Sequence, residues 1–287
     1  MKFGIKNIFS SSETKGRDVL LTGIPRSGTT LACRLLSECP QVVALNEPMD
    51  RDKFPARAEA LSAVDEAFRT FRKSLLRSGT ALARTRDGRI TDNAYDHSSG
   101  RRQRVVERTE IHFDKPLEAG FTLVLKHNAE FTLLLPEIAQ GREVFAMIRN
   151  PLALLSSWSS VDVPVSRGKV AKSARLLPAF DSALEGIEGL LERQLFILSW
   201  YFGQYRGFPE ANVLRYEELA SSNGRLLERA TQAPVPGHWD ISEKNTNPLY
   251  DKESIQTAGE ALLATEGHYW AFYTRADVEG LLNRLLQ

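Results

Sequence analysis

The chain has 287 residues, 42% of them apolar, enough for one sizeable domain with a full core. Its 37 Lys and Arg against 36 Asp and Glu leave a net charge of +1, so no bulk field favours nucleic acid or an anionic membrane. No apolar run reaches the ~18 residues of a membrane span, and Met1 to Ser12 is basic without the long apolar core of a signal peptide, so a tail over 1–16 and a cytoplasmic location are expected.

In chain order, the first element is an apolar run, Val19 to Leu21. Gly23-Ile24-Pro25-Arg26-Ser27-Gly28 follows, and Thr29-Thr30 opens an amphipathic segment. The pattern predicts strand, loop and helix. Such a loop sets backbone N–H groups at the positive end of a helix, a ready-made phosphate site. Arg26 adds a fixed charge, and Ser27, Thr29 and Thr30 add hydroxyls. Against the P-loop pattern G-x-x-x-x-G-K-[ST], Gly23, Gly28 and Thr30 fit, but Thr29 stands where the lysine belongs. A loop without that lysine is poorly equipped for a triphosphate and can still grip a 5′-phosphate. Cys33 and Cys39 lie about 9 Å apart along a helix, too far for a disulfide, and are expected to be packing residues in a reducing compartment.

Gln41 to Leu45 reads as a second strand, after which Glu47 faces the crevice at the C-terminal sheet edge. Helical spacing runs from Lys53 to Arg77 and ends at Gly79. An Arg-rich insertion over 80–115 contains Arg84, Arg86, Arg89, Arg101, Arg102 and Arg104, with Asp87-Gly88 as a turn between short strands. It is either a solvated surface or a basic rim that attracts an anion. Tyr95 and His97 within it are candidates to contact a substrate.

Phe121 to Asn128 reads as a buried strand with a polar end, Lys126-His127-Asn128, and a helix follows to Ala139. Glu143 to Ile148 is another strand, broken by Arg149-Asn150-Pro151 before a helix through Ser160. This alternation predicts an α/β fold, a three-layer arrangement with a central, mostly parallel sheet. Residues 162–175 lack periodicity and read as a mobile lid. One long helix is expected from Leu176 to Phe202, with Leu190, Leu191, Leu195, Phe196, Leu198, Trp200 and Tyr201 on its core face. Asn212 to Tyr216 reads as a last strand, and a helix ending at Leu281 to Leu286 closes the chain.

Pro25-Arg26-Ser27-Gly28-Thr29-Thr30-Leu31 resembles the 5′-phosphosulfate loop of sulfotransferases that use 3′-phosphoadenosine-5′-phosphosulfate (PAPS), and Arg26 in particular looks like the tyrosylprotein and bacterial branch. Arg149 at a strand end and Ser157 eight residues on resemble the family's pair for the cofactor's 3′-phosphate. Val213 to Leu219 is similar to the family's R-Y-E-D-L stretch, which implies that Tyr216 lies near the adenine. Lys244 falls where members often have a cofactor-contacting loop. The P-loop-like sulfotransferase fold would then span the whole chain as one domain.

The resemblance implies PAPS as cofactor, a hydroxyl-bearing acceptor (a small molecule or glycan), in-line transfer, and no metal. Arg26 and Lys126 would stabilise the departing oxygen. For the base, the tyrosylprotein branch uses a glutamate just after the second strand, where Glu47 stands. The cytosolic branch uses a histidine two residues after a lysine, whereas Lys126 and His127 are adjacent and point to opposite faces of a regular strand. Glu47 is therefore preferred. A ribose-binding role for Glu47 needs a G-x-G-x-x-G that the chain lacks. The alternatives are a P-loop nucleoside or sugar kinase, which needs magnesium and a strand-end aspartate where Arg149 stands, and a non-catalytic bisphosphate-nucleotide-binding protein.

Overall fold

Near-continuous apolar runs, the signature of strands covered on both faces, form a five-stranded sheet at the centre of the computed structural model, which describes residues 16–50, 54–95, 102–247 and 250–287. The elements in order are β1 (Asp18–Gly23), α1 (Thr29–Glu38), β2 (Val42–Asn46), α2 (Ala60–Ser78), β3 (Thr80–Thr85), β4 (Glu107–His112), β5 (Thr122–Lys126), α3 (Ala129–Leu133), α4 (Leu135–Ile138), β6 (Glu143–Ile148), α5 (Pro151–Ser159), α6 (Ser173–Leu176), α7 (Pro178–Glu185), α8 (Leu190–Tyr205), β7 (Val213–Arg215), α9 (Tyr216–Ser221), α10 (Glu228–Thr231), α11 (Lys252–Ala264) and α12 (Arg275–Leu286). The sheet order is β2-β5-β1-β6-β7, all parallel, with Leu20 opposite Leu125 on one side and Val144 on the other. The chain is thus α/β, with a parallel sheet flanked by helices.

That order places the site. The chain leaves β1 for one edge, returns through β5 beside β1, and then builds outward through β6 and β7. The crevice at such a reversal, outside the carboxyl ends of the strands, is where open α/β sheets bind ligands. The loop after β1 sits there, between the ends of β5 and β6.

Several elements differ from the sequence reading. The helix ending at Gly79 starts at Ala60 rather than Lys53, and Gly79 takes φ 68 as its left-handed cap. Asp87-Gly88 does turn the chain, but β3 pairs antiparallel with the distant β4, because only a bridge between Arg86 and Arg89 forms locally. The helix after β5 is split in two at Leu134. The expected 176–202 helix is also split: Pro178 starts α7, and α8 begins only after Gly189. Leu190 is consequently 52% exposed and Phe196 37%, rather than in the core. Residues 162–175 contain a 3-10 turn at Pro164–Arg167 followed by α6, with Val163, Val165 and Val170 buried. Cys33 and Cys39 are buried free thiols, and burial pushes Cys33 up to about 12.

Two side chains, Ser37 and Lys115, tie the turn from α1 to β2, Ser37 Oγ by donating to the Ala44 carbonyl oxygen at 2.8 Å and accepting from the Ala44 amide at 3.1 Å. Lys115 Nζ donates to the carbonyl oxygens of Ser37 and Cys39, each at 2.8 Å, and of Val42. It thereby satisfies carbonyls that a helix end leaves unpaired, and burial pulls its ammonium down to about 8. Lys115→Met removes the donor and keeps the stem. Stranded carbonyls cost about 1–3 kcal/mol, so the melting temperature should fall by about 2–10 °C in differential scanning calorimetry; an unchanged value would refute this anchoring role.

Candidate active site

The loop after β1 packs too tightly for side chains at two glycines. A Cβ on Gly23 would lie 2.6 Å from the Met147 carbonyl oxygen. Gly28 takes φ 94, and its Cβ would lie 2.7 Å from the Tyr216 ring. Gly28 is also the N-cap of α1, and no side chain caps this helix. Its first N–H groups are left for a ligand, at the positive end of the helix dipole. Thr29 is buried and Thr30 half-buried at this start, and both line the cavity with Pro25. Ser27 is fully buried, and its Oγ has no hydrogen-bond partner among the described residues.

Arginines gather around the loop. Arg26 takes φ 76, a left-handed conformation that costs a non-glycine residue about 1–3 kcal/mol. Its Nε donates to Ser157 Oγ at 3.2 Å, its Nη1 donates to Asn93 Oδ1 at 3.1 Å, and its guanidinium lies 5.0 Å from the Tyr95 ring centre. Burial, then the like charges of Arg102 and Arg149, pull Arg26 down to about 10. It remains charged at neutral pH, in a field that an anion would relieve.

Arg149, at the end of β6, is held on three sides. Nε donates to Asn245 Oδ1 at 2.6 Å, Nη1 to the Arg26 carbonyl oxygen at 3.1 Å, and Nη2 to the Lys244 carbonyl oxygen. Its plane stacks on Tyr216, 4.5 Å from the ring centre. Of the five N–H donors of a guanidinium, two remain. The structure thus brings Arg149, Ser157 and Tyr216 together at the loop, with Ser157 bonded to Arg26. The Tyr216 hydroxyl, raised by burial, accepts from the Lys244 amide at 2.9 Å. Lys244 takes part through its backbone, and its side chain is exposed at the cavity edge.

Glu47, just past β2, takes φ 45 and donates its amide to the Lys126 carbonyl oxygen at 2.8 Å. Its Oε1 lies 3.3 Å from Lys126 Nζ, and its Oε2 lies 3.0 Å from Arg84 Nε and 3.1 Å from Arg104 Nη2. Lys126 is buried, also donates to Asn46 Oδ1 at 3.2 Å, and lines the cavity with Glu47. His127 turns the other way, as strand alternation requires. Its ring is fully buried 5.1 Å from Phe54 and 5.0 Å from Phe131, and its Nε2 accepts from the Met49 amide.

Arg26, Thr29, Thr30, Glu47, Lys126, Arg149, Ser157, Tyr216 and Lys244 share one cavity of about 430 Å³, which Ser27 and His127 do not line, within the size range of small-molecule sites. The arginine-rich insertion forms part of its wall. Arg102 is buried and donates to Ser160 Oγ, Arg84 and Arg104 close on Glu47, and Asn93 and Tyr95 close on Arg26. His97 and Arg101 lie outside the described residues. Val163, Val165, Ala171 and Tyr201 add an apolar side. The sequence reading missed Asn93 and Asn245 because each acts through a partner more than sixty residues away. Asn245 carried one local signal, its place beside Lys244. Among the described residues, no group of three His, Cys, Asp or Glu side chains is arranged to hold a metal ion, and no helix is long and apolar enough to cross a membrane.

No family model matches the chain, and no curated protein matches it. Among solved structures, a sulfotransferase, STF1 from Mycobacterium tuberculosis H37Rv, is similar at 12% identity and a TM-score of 0.31, over 95% of this chain and 78% of that one. At that level the likeness carries no argument.

The mutual repulsion of Arg26, Arg102 and Arg149 has a measurable consequence. Inorganic sulfate should raise the melting temperature of the wild type. Arg26→Gln should melt close to the wild type without sulfate, because losing two hydrogen bonds is offset by relief of like charge, and should lose most of the sulfate-induced rise in a thermal-shift titration. An equal rise in both proteins would place the anion elsewhere.

Proposed function

We propose that the chain is a sulfotransferase that moves the sulfuryl group of PAPS to a hydroxyl of a small molecule or glycan. The observation that carries this reading is the convergence of Arg26, Arg149 and Ser157 on the uncapped start of α1, in the same cavity as Glu47 and Lys126. The residues suit a nucleotide with two separate phosphate groups. The α1 N–H groups are uncapped, Ser27 Oγ has no partner among the described residues, Arg149 keeps two N–H donors, and Arg26 stands in a field that favours an anion.

PAPS would supply an activated sulfuryl group with adenosine 3′,5′-bisphosphate as the leaving group. The amides of Arg26 to Thr30 and the hydroxyls of Ser27, Thr29 and Thr30 would hold the 5′-phosphate. Arg149 would hold the 3′-phosphate through its remaining donors, with the hydroxyl hydrogen of Ser157, whose oxygen already accepts from Arg26. Tyr216 and Lys244 would border the nucleotide. Arg26 and Lys126 would place positive charge where the leaving oxygen becomes negative. Glu47 would remove the acceptor's proton as general base, held in place by Lys126, Arg84 and Arg104.

Calorimetric titration without added magnesium tests the cofactor class. Adenosine 3′,5′-bisphosphate should bind more tightly than AMP or ATP, and Arg149→Ala should remove that preference. A preference for ATP would overturn the reading in favour of a kinase. With radiolabelled PAPS and a panel of phenol, alcohol and sugar acceptors, Glu47→Gln should bind bisphosphate as the wild type does and lose turnover by about 100-fold or more. Full turnover in that variant would remove Glu47 as the base.

A further inference from the structure

Arg149 cannot set its own orientation, and two of the groups that set it do not line the cavity. The amide of Asn245 is buried between Arg149 and Glu217. Its Oδ1 accepts from Arg149 Nε at 2.6 Å, and its Nδ2 donates to Glu217 Oε1 at 3.0 Å. Reversing that amide would set its NH₂ against the guanidinium and its oxygen against the carboxylate, so the pairing admits one orientation.

Glu217 is fixed in turn. Oε1 also accepts from the Asn150 amide at 2.9 Å, and Oε2 accepts from the Tyr273 hydroxyl at 2.8 Å. Burial and the neighbouring Glu217 push that hydroxyl well above its usual value, which keeps Tyr273 a donor. Asn150 is the N-cap of α5 and donates to the Asp277 carbonyl oxygen at 3.1 Å, so the chain of contacts ends on α12. The first turn of α9, the start of α5 and the C-terminal helix thus brace one side-chain amide against one arginine.

From this relay we infer that Glu217 and Asn245 are positioning residues for Arg149. Glu217 orients the Asn245 amide, Asn245 orients the guanidinium, and the two donors Arg149 has left are thereby aimed at a phosphate on the 3′ side of the nucleotide. The Glu217 carboxylate stands behind Asn245 and does not line the cavity, so it does not compete for the phosphate. The inference rests on the bisphosphate reading above.

The test compares two ligands that differ only in the phosphate Arg149 is proposed to hold. Adenosine 3′,5′-bisphosphate and AMP are titrated into wild type, Asn245→Ala, Glu217→Ala, Glu217→Gln and Asn245→Asp. Losing an oriented hydrogen bond to a charged group weakens binding by about tenfold or more. Asn245→Ala and Glu217→Ala should therefore weaken the bisphosphate by at least that factor and leave AMP unchanged. Glu217→Gln keeps an oxygen for the Asn245 amide and should restore most of the affinity. Asn245→Asp keeps size and shape but loses the donor to Glu217 and sets a second carboxylate against Glu217 as well as against Arg149, which breaks the relay, so bisphosphate affinity should fall while AMP binding holds. This near-isosteric pair also carries the test if the alanine variants do not fold. Equal weakening of both ligands, or no weakening of the bisphosphate, would overturn the positioning role. A wild type that binds AMP as tightly as the bisphosphate would instead overturn the sulfotransferase reading itself.

Discussion

Three oxygens from two distant parts of the chain meet on the Arg149 guanidinium. One is the carbonyl of Arg26 in the loop after β1, one the carbonyl of Lys244, and one the side-chain amide of Asn245. A fork of planar N–H donors can bind several acceptors in fixed directions, which an ammonium cannot. The contact with Arg26 helps to hold that residue in its left-handed conformation, and so the shape of the whole turn. The contacts with Lys244 and Asn245 pin the segment that closes one side of the cavity. Stacking on Tyr216, whose ring fills the space left by Gly28, closes the circle.

Gathering cations in this way opposes folding. Arg26, Arg102 and Arg149 repel one another, and burial removes much of the water that would screen them. The protein answers with oriented neutral oxygens at short range, from Ser157 and Asn93 on Arg26 and from Asn245, Lys244 and Arg26 on Arg149. A carboxylate placed inside the cavity would neutralise the charge more directly and would also occupy the ground an anionic ligand needs. Glu47, on the other side of the cavity, is balanced by Lys126 and by two arginines of the insertion. Strain at Arg26 and Glu47, both at positive φ, falls on the two residues with opposite proposed tasks.

The insertion after α2 is the part of the fold that joins these two poles. Its strands β3 and β4 pair outside the main sheet, Arg84 of β3 reaches Glu47, and the irregular stretch between them reaches Arg26 through Asn93 and Tyr95 and Glu47 through Arg104. A segment whose strands pair outside the main sheet, while Ala81, Ala83, Ile90, Ile111 and Phe113 join the core, thereby shapes the mouth of the site.

What the sequence determined by itself was local. The apolar run, the glycine-bearing turn and the amphipathic start of α1 depend on neighbouring residues, so strand, loop and helix were legible at 18–38. So were the strand endings that put Glu47, Lys126 and Arg149 at one edge, because parallel strands deliver their C-terminal ends to the same side. Alternation alone separated Lys126 from His127. Tertiary structure decided the rest. Nothing near Asn93 in the chain, and only the neighbouring Lys244 at Asn245, signals that each would hold an arginine, since such a bond exists only once the sheet has ordered its strands. The insertion could be read as a solvated surface or a basic rim because its charges lack periodicity; the contacts of Arg102 with Ser160 and of Arg104 with Glu47 depend on partners 57 residues or more away. The split of the 176–202 helix turned on Pro178 and Gly189, where backbone geometry overrode an apolar pattern that otherwise reads as one face.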